Sequence, residues 1–257
     1  ESANLTNCTN LTVANTIYTL QNNIQTTQTC FNIKADNITL DGRGYWIMKT
    51  GSNDALGVYS LGTKNIIIKN LNISNFKNGI DLTSNDSFIL NNTIELNSGG
   101  QGINLGGNNN IISYNNINKN RNGIKLIDGS LNNNISGNNV NDNINDGIKI
   151  YQQSINTLIY SNTIRNNSYS GIEITSSGGF KIINNTLNNN QQHGMSVSLS
   201  SNGIIYGGII NGSGWNSIYI SGLSSDGINI TNVTIRNTNS SQYDLFFTDA
   251  GIDRTFI

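Results

Sequence analysis

The chain has no proline, and only 11% of its 257 residues are charged. Its formal net charge is −1, which provides no electrostatic footprint for nucleic acid or an anionic membrane surface. No apolar run approaches the roughly 18 residues that a membrane helix needs. There is a single histidine, His193, and no acidic cluster, so neither a metal nor another cofactor is expected. Two cysteines are too few to identify a compartment by number alone. No cleavable leader precedes Glu1, and the expectation is that the chain starts at its processed end.

What is abundant is asparagine, with 51 residues, beside 27 glycines. A hexad, Ile-x-x-Asn-x-Ile, returns about every 23 residues: Ile89-Asn92-Ile94, Ile112-Asn115-Ile117, Ile135-Asn138-Val140, Ile159-Asn162-Ile164 and Ile182-Asn185-Leu187. Looser copies extend it to Ile68 on one side and to Ile257 on the other. A second element, Gly-Ile-x-Leu, keeps the same beat at Gly79, Gly102, Gly123, Gly147, Gly171 and Gly194. A fixed period of this size is the signature of stacked repeats.

Within each period apolar and polar residues alternate over a few positions, which is strand spacing rather than helix spacing. Gly-Ile-x-Leu supplies one strand, and the hexad supplies two more with a bend between them. The connections are Asn, Gly and Ser, the usual turn formers. The expected fold is all-β: a parallel β-helix of about ten coils, with three short strands per coil. It is expected to be one domain over 1–257, with opening coils over 1–36 and regular coils over 37–257. Asn92, Asn115, Asn138, Asn162 and Asn185 then stack at the bend as a ladder of amides bonded rung to rung.

These repeats, with the stretch Cys30-Phe31-Asn32-Ile33 through Asn37-Ile38-Thr39-Leu40-Asp41-Gly42, resemble the right-handed parallel β-helix repeat proteins. The segment Ala35 to Gly42 is similar to the first coils of archaeal and bacterial surface members. The resemblance covers essentially the whole chain and implies the right-handed fold. It is weak for function, because the family spans lyases, hydrolases, epimerases, adhesins and wall proteins.

Cys8 and Cys30 fall one period apart. In register on neighbouring rungs their Cα atoms would be about 5 Å apart, within disulfide range. A bridge there points to an oxidising compartment and a secreted or cell-surface protein. Glycosylation acceptors occur at Asn4, Asn7, Asn10, Asn37, Asn72, Asn85, Asn91, Asn134, Asn166, Asn184, Asn211, Asn229 and Asn239. Asn232 also matches, but within a coil bend where it is expected to be inaccessible.

The outward position of Gly-Ile-x-Leu reads Asp81, Asn104, Lys125, Lys149, Glu173, Ser196, Tyr219. Its two acids, Asp81 and Glu173, are four rungs apart, roughly 19 Å, too far for a paired-carboxylate hydrolase. Asp146 lies two rungs from His193, about 10 Å, beyond the reach of a catalytic dyad. The Asp-Pro-His motif of epimerase-like members cannot exist without proline. The Asn-Thr-Asp, Asp-Asp and Gly-His-Gly set of polygalacturonase-like members is also missing, with Gln192-His193-Gly194 its nearest approach. No enzyme and no catalytic residue are expected.

The last hexad ends at Ile257, and Ile252, Thr255 and Ile257 would leave a bare terminal rung. An exposed rung invites head-to-tail stacking of further copies. The expectation is therefore a secreted structural subunit of a fibre, sheath or surface layer, with itself as partner. The competing class is an adhesin that binds cell-surface glycans, with Trp215 and Tyr219 as stacking platforms, and behind it a polysaccharide lyase or hydrolase.

Overall fold

The computed structural model describes residues 1–52, 54–127, 129–236 and 243–248. Each coil turns at corners where one residue takes left-handed backbone. At the corner inside the hexad these are Asn70, Asn91, Tyr114, Gly137, Ser161 and Asn184, with φ between 52° and 65°. Asn and Gly bear this conformation at least cost, which accounts for part of the chain's asparagine.

Between the corners run short parallel strands, which pair with the coil before and the coil after. Among the described residues they form three sheets of 11, 10 and 11 strands. Sheet one begins with Ser2–Leu5 and carries the first isoleucine of each hexad. Sheet two begins with Ile24–Thr26 and carries the last. Sheet three begins with Thr9–Leu11 and carries Gly-Ile-x-Leu, as in Ile148–Tyr151 and Ile172–Thr175. The β-solenoid of about ten coils expected from the period is the fold observed.

The interior is a set of stacked aliphatic columns. Ile89, Ile112, Ile135, Ile159 and Ile182 pair in register, as do Ile94, Ile117, Val140, Ile164 and Leu187. All ten are buried. Because the side-chain period of a strand is two, this register forces the intervening residues outward.

Ladders of buried asparagine amides line two corners. Along the hexad column Asn92, Asn115, Asn138 and Asn162 each donate Nδ2 to the Oδ1 of the next, at 2.9 to 3.0 Å, ending on Asn185. The same Oδ1 atoms also accept a backbone N–H, as from Asn115 to Asn138 at 2.9 Å. A second ladder, unforeseen in the sequence, lies five residues further on: Asn97, Asn120, Asn143, Asn167 and Asn190, linked at 2.9 to 3.3 Å. The ladders give inward-facing corner backbone the partners that buried polar groups require.

Cys8 and Cys30 form a disulfide across neighbouring coils, with Cα atoms 4.4 Å apart. The proposed assembly end, Ile252, Thr255 and Ile257, and the acceptor Asn239 lie outside the described residues.

Candidate functional site

The outer face of sheet three concentrates the chain's polar chemistry, for a local geometric reason. Gly79, Gly102, Gly123, Gly147, Gly171 and Gly194 stand at the starts of its strands, where a Cβ would collide with the coil interior. At Gly147 that atom would sit 2.5 Å from Ile164 Cγ2 and 2.7 Å from the Gly171 carbonyl. The residue ahead of the glycine meets the outward residue three places on. Asn78 thus donates Nδ2 to Asp81 Oδ2 at 2.6 Å, and Lys149 Nζ reaches Asp146 Oδ2 at 3.5 Å.

Lys149 pairs in register with Glu173, and its Nζ lies 2.7 Å from Glu173 Oε2. Asp146, Lys149 and Glu173 therefore form one cluster. Lys149 bridges the two carboxylates and Thr175 donates its hydroxyl to Glu173 Oε1 at 3.1 Å. Asp146 Oδ1 accepts the Ser170 backbone N–H at 3.1 Å. This corrects the sequence expectation that the face holds no paired acids. Asp81 and Glu173 are indeed on separate coils of one column, but the pair that forms is diagonal, between Asp146 of the turn column and Glu173 of the strand column.

The two acids are not equivalent. Asp146 is 3% exposed, and burial, then the hydrogen bond and charge of Glu173, push its pKa up to about 7. Burial acts on Glu173 in the same direction, but the hydrogen bonds from Asp146 and Lys149 and the Lys149 charge outweigh it. The net effect holds Glu173 below its ordinary value. The pair shares one proton below about pH 7, with its charge kept on the more exposed Glu173.

The cluster lies in an open groove of about 380 Å³, lined also by Tyr169, Gln192, His193 and Ser196. His193, expected two rungs from Asp146, is buried and lines the same groove. Burial lowers its pKa, opposed by the Asn216 backbone. Beyond His193 an aromatic tier follows. Tyr219 stacks on the imidazole at 4.7 Å, and Phe246 stacks on the far face of that tier, 5.9 Å from Tyr219. Tyr219 therefore has a ring on either side. Trp215 differs: it meets His193 edge-on, at 5.4 Å and 80°, and is 49% exposed.

A second groove, on sheet two, is lined by Trp46, Met48, Asn72, Ile73, Ser74, Thr93 and Glu95, with a single carboxylate. Of the glycosylation acceptors, Asn4, Asn7, Asn10, Asn37, Asn85, Asn91, Asn166, Asn184 and Asn229 are exposed, while Asn72, Asn134 and Asn211 are half-buried. Asn232, expected to be inaccessible, is exposed. Asn37 and Asn91 already commit Nδ2 to neighbouring asparagines, at 3.0 and 2.8 Å. No helix in the described residues is long and apolar enough to cross a membrane.

The family profile described as "Right handed beta helix region" matches residues 48–179. Among solved structures, the A-module of the Azotobacter vinelandii mannuronan C-5 epimerase AlgE6 is similar with a TM-score of 0.77. It is 14% identical, over 99% of this chain and 80% of that one. The periplasmic alginate epimerase AlgG gives a TM-score of 0.64 and 19% identity, over 93% of this chain and 61% of that one. The Dettilon tailspike protein gives 0.73 and 12%, over 99% and 60%. This chain thus spans about three fifths of the length of AlgG and of the tailspike. No curated protein matches the sequence. At such identities the likeness carries the fold alone. Two epimerases and a tailspike nevertheless give no support to the head-to-tail fibre subunit expected from the sequence. The epimerases among them also count against the expectation that the chain is not an enzyme.

Proposed function

We propose, since this chain belongs to the right-handed β-helix family, that it is a carbohydrate-active solenoid working from the outer face of sheet three. A polysaccharide would lie along the coil axis, and the Asp146–Glu173 pair would act on a glycosidic bond. The observation that carries this reading is the pair itself: two carboxylates in one open groove whose pKa values are pushed apart, the usual mark of acid and base assigned by environment.

The chemistry that fits is hydrolysis. The pair gives its shared proton to the leaving sugar oxygen, water adds to the anomeric carbon, and the proton that water sheds returns to the pair. Glu173, the more exposed acid, meets the substrate; Asp146 holds the proton behind it; Lys149 fixes both. Loss of the shared proton above about pH 7 should silence the reaction. The disulfide, together with a periplasmic and a tailspike protein among the similar structures, supports an extracytoplasmic setting. Asn4, Asn7 and Asn10, exposed near the start of the chain, are the acceptors that we propose for glycans.

The test is incubation with alginate, polygalacturonate, xylan and dextran, followed by mass spectrometry of the products. Fragments carrying one added water are expected from at least one polymer, and Glu173→Gln should cut their rate by about 10² or more. Retention of a polymer without any cleavage would instead leave a glycan-binding solenoid, a reading that the exposed Trp215 favours. Neither cleavage nor retention would end both.

A further inference from the structure

The groove on sheet two is built by register. Trp46, Asn72 and Thr93 stand in one outward column on three successive coils, and Met48, Ser74 and Glu95 stand in the next. Large apolar side chains thus occupy one end, short polar ones the middle, and a carboxylate the far end. All six are half-buried, and the short ones leave a depression of about 300 Å³ between the long ones. On the two following coils the same positions hold Asn116 with Asn118, then Asn139 with Asn141, so the indole and thioether do not recur there.

The polar groups of this groove are not used by the fold. Among the described residues, neither the Ser74 and Thr93 hydroxyls nor the Glu95 carboxylate has a hydrogen bond or an ion pair. Lys49, Lys69 and Lys77 give their ammonium groups to the Gly51 carbonyl, Asp41 and Asp54 instead. Asn72 is engaged, with Nδ2 donating to the Gly44 carbonyl at 2.7 Å. Apolar walls with a few free polar groups between them are the make-up of a ligand pocket.

Charge and shape select the occupant. A carboxylate without a partner accepts a charge-assisted hydrogen bond from an ammonium, and an indole takes a C–H face or a cation. Trp46 and Glu95 are two coils and two residues apart, about 10 Å by 7 Å, so the ligand is longer than one sugar ring. A second protein copy would need about 800 Å² per partner, far more than six half-buried side chains offer. A peptide would seek an open strand edge, but these strands are already paired on both sides. Linked pyranoses bring what the groove lacks: C–H faces, hydroxyls and, in an amino sugar, an ammonium.

We propose that the outer face of sheet two carries a binding site for an oligosaccharide with free amino groups. Trp46 and Met48 pack against the C–H face of one unit, the Ser74 and Thr93 hydroxyls bond its hydroxyls, and Glu95 holds the ammonium of the next. The site lies on a different sheet from the Asp146–Glu173 pair and does not rest on the chemistry proposed there.

The test is isothermal titration calorimetry of the whole chain with the trimer of glucosamine, the trimer of N-acetylglucosamine, and trilysine. The glucosamine trimer should bind, and N-acetylation should weaken binding about 10-fold or more, the range of a hydrogen bond to a charged group. Glu95→Gln should weaken the glucosamine trimer by a similar factor and bring the two sugars level. Trp46→Ala should weaken both about 3- to 10-fold. In Trp215→Phe, which leaves Trp46 as the sole indole, the glucosamine trimer should shift the fluorescence. Circular dichroism and melting curves for each variant exclude misfolding as the cause. Absence of binding by the glucosamine trimer, equal binding of the acetylated one, or tighter binding of trilysine would each overturn the site. So would an affinity unchanged in Glu95→Gln but lost in Glu173→Gln, which would put the ligand at the acid pair instead.

Discussion

At the residue scale, the informative side chains are those whose environments conflict with their charge. Asp146 is the clearest. Its folded pKa of about 7 lies above the ordinary 3.8, so the fold favours its protonated form and binds more protons than the unfolded chain between those values. Stability from this group is therefore complete at low pH and is lost as pH rises towards and through 7. Glu173 acts the other way, since its lowered pKa makes stability fall only below its own ordinary range, near 4.5. Between about pH 5 and 8 the Asp146 contribution should dominate the slope. The melting temperature of the wild-type chain is expected to fall across that interval, and Asp146→Asn should flatten the curve. An equal slope in the variant would show that other groups set it. Little of this pair was legible beforehand. Columns read along the strand keep Asp146 and Glu173 in separate registers, and only the folding of the turn residue over the outward residue, as in Asn78 with Asp81, brings diagonal neighbours together.

At the scale of the element, the corner governs the coil. The strands are three to seven residues long, too short to hold a register by themselves, and the buried amides lock one coil to the next. Asn138 Oδ1 accepts both the backbone N–H and the side-chain Nδ2 of Asn115, at 2.9 and 3.0 Å. Asn138→Ala leaves the buried Asn115 N–H unpaired, while Asn115 Nδ2 keeps the Ile89 and Ser113 carbonyls at 2.8 and 3.0 Å, and should cost about 1–3 kcal/mol in urea unfolding. A loss below about 1 kcal/mol would mean that water replaces the amide. The glycine column is the complementary constraint. Gly147→Ala pushes a methyl against Ile164 and the Gly171 carbonyl, and backbone on the neighbouring coil cannot give way cheaply. A loss of about 1–3 kcal/mol is expected, and a neutral result would show that the coils can spread. The hexad made the first ladder readable because its asparagine sits between two isoleucines. The second ladder has the same spacing, five residues later, yet Leu96, Lys119, Asp142 and Asn166 precede its members and no repeated apolar frame marks it. In a chain with 51 asparagines, a column without such a frame is hidden by its own abundance.

For the whole molecule, the stacking has a consequence for how damage spreads. Each strand pairs only with the coil before and the coil after, so stability is close to a sum of coil terms and nearest-neighbour interfaces. The Cys8–Cys30 bridge joins the first coils, and the groove that holds Asp146, Glu173 and His193 lies several coils further on. A bridge closing a loop of 22 residues stabilises by roughly 3 kcal/mol on chain-entropy grounds. In a globular domain that loss would be shared by the whole fold. Here it should stay local. Replacing both cysteines by serine is expected to raise amide hydrogen exchange over about the first 33 residues, where the bridged coils and their partners lie. Protection of the strands Ile148–Tyr151 and Ile172–Thr175 should be unchanged, as should retention on polysaccharide. If exchange instead rose equally along all coils, the solenoid would be unfolding as one unit. The disulfide would then support the distant groove as well as the end that it ties.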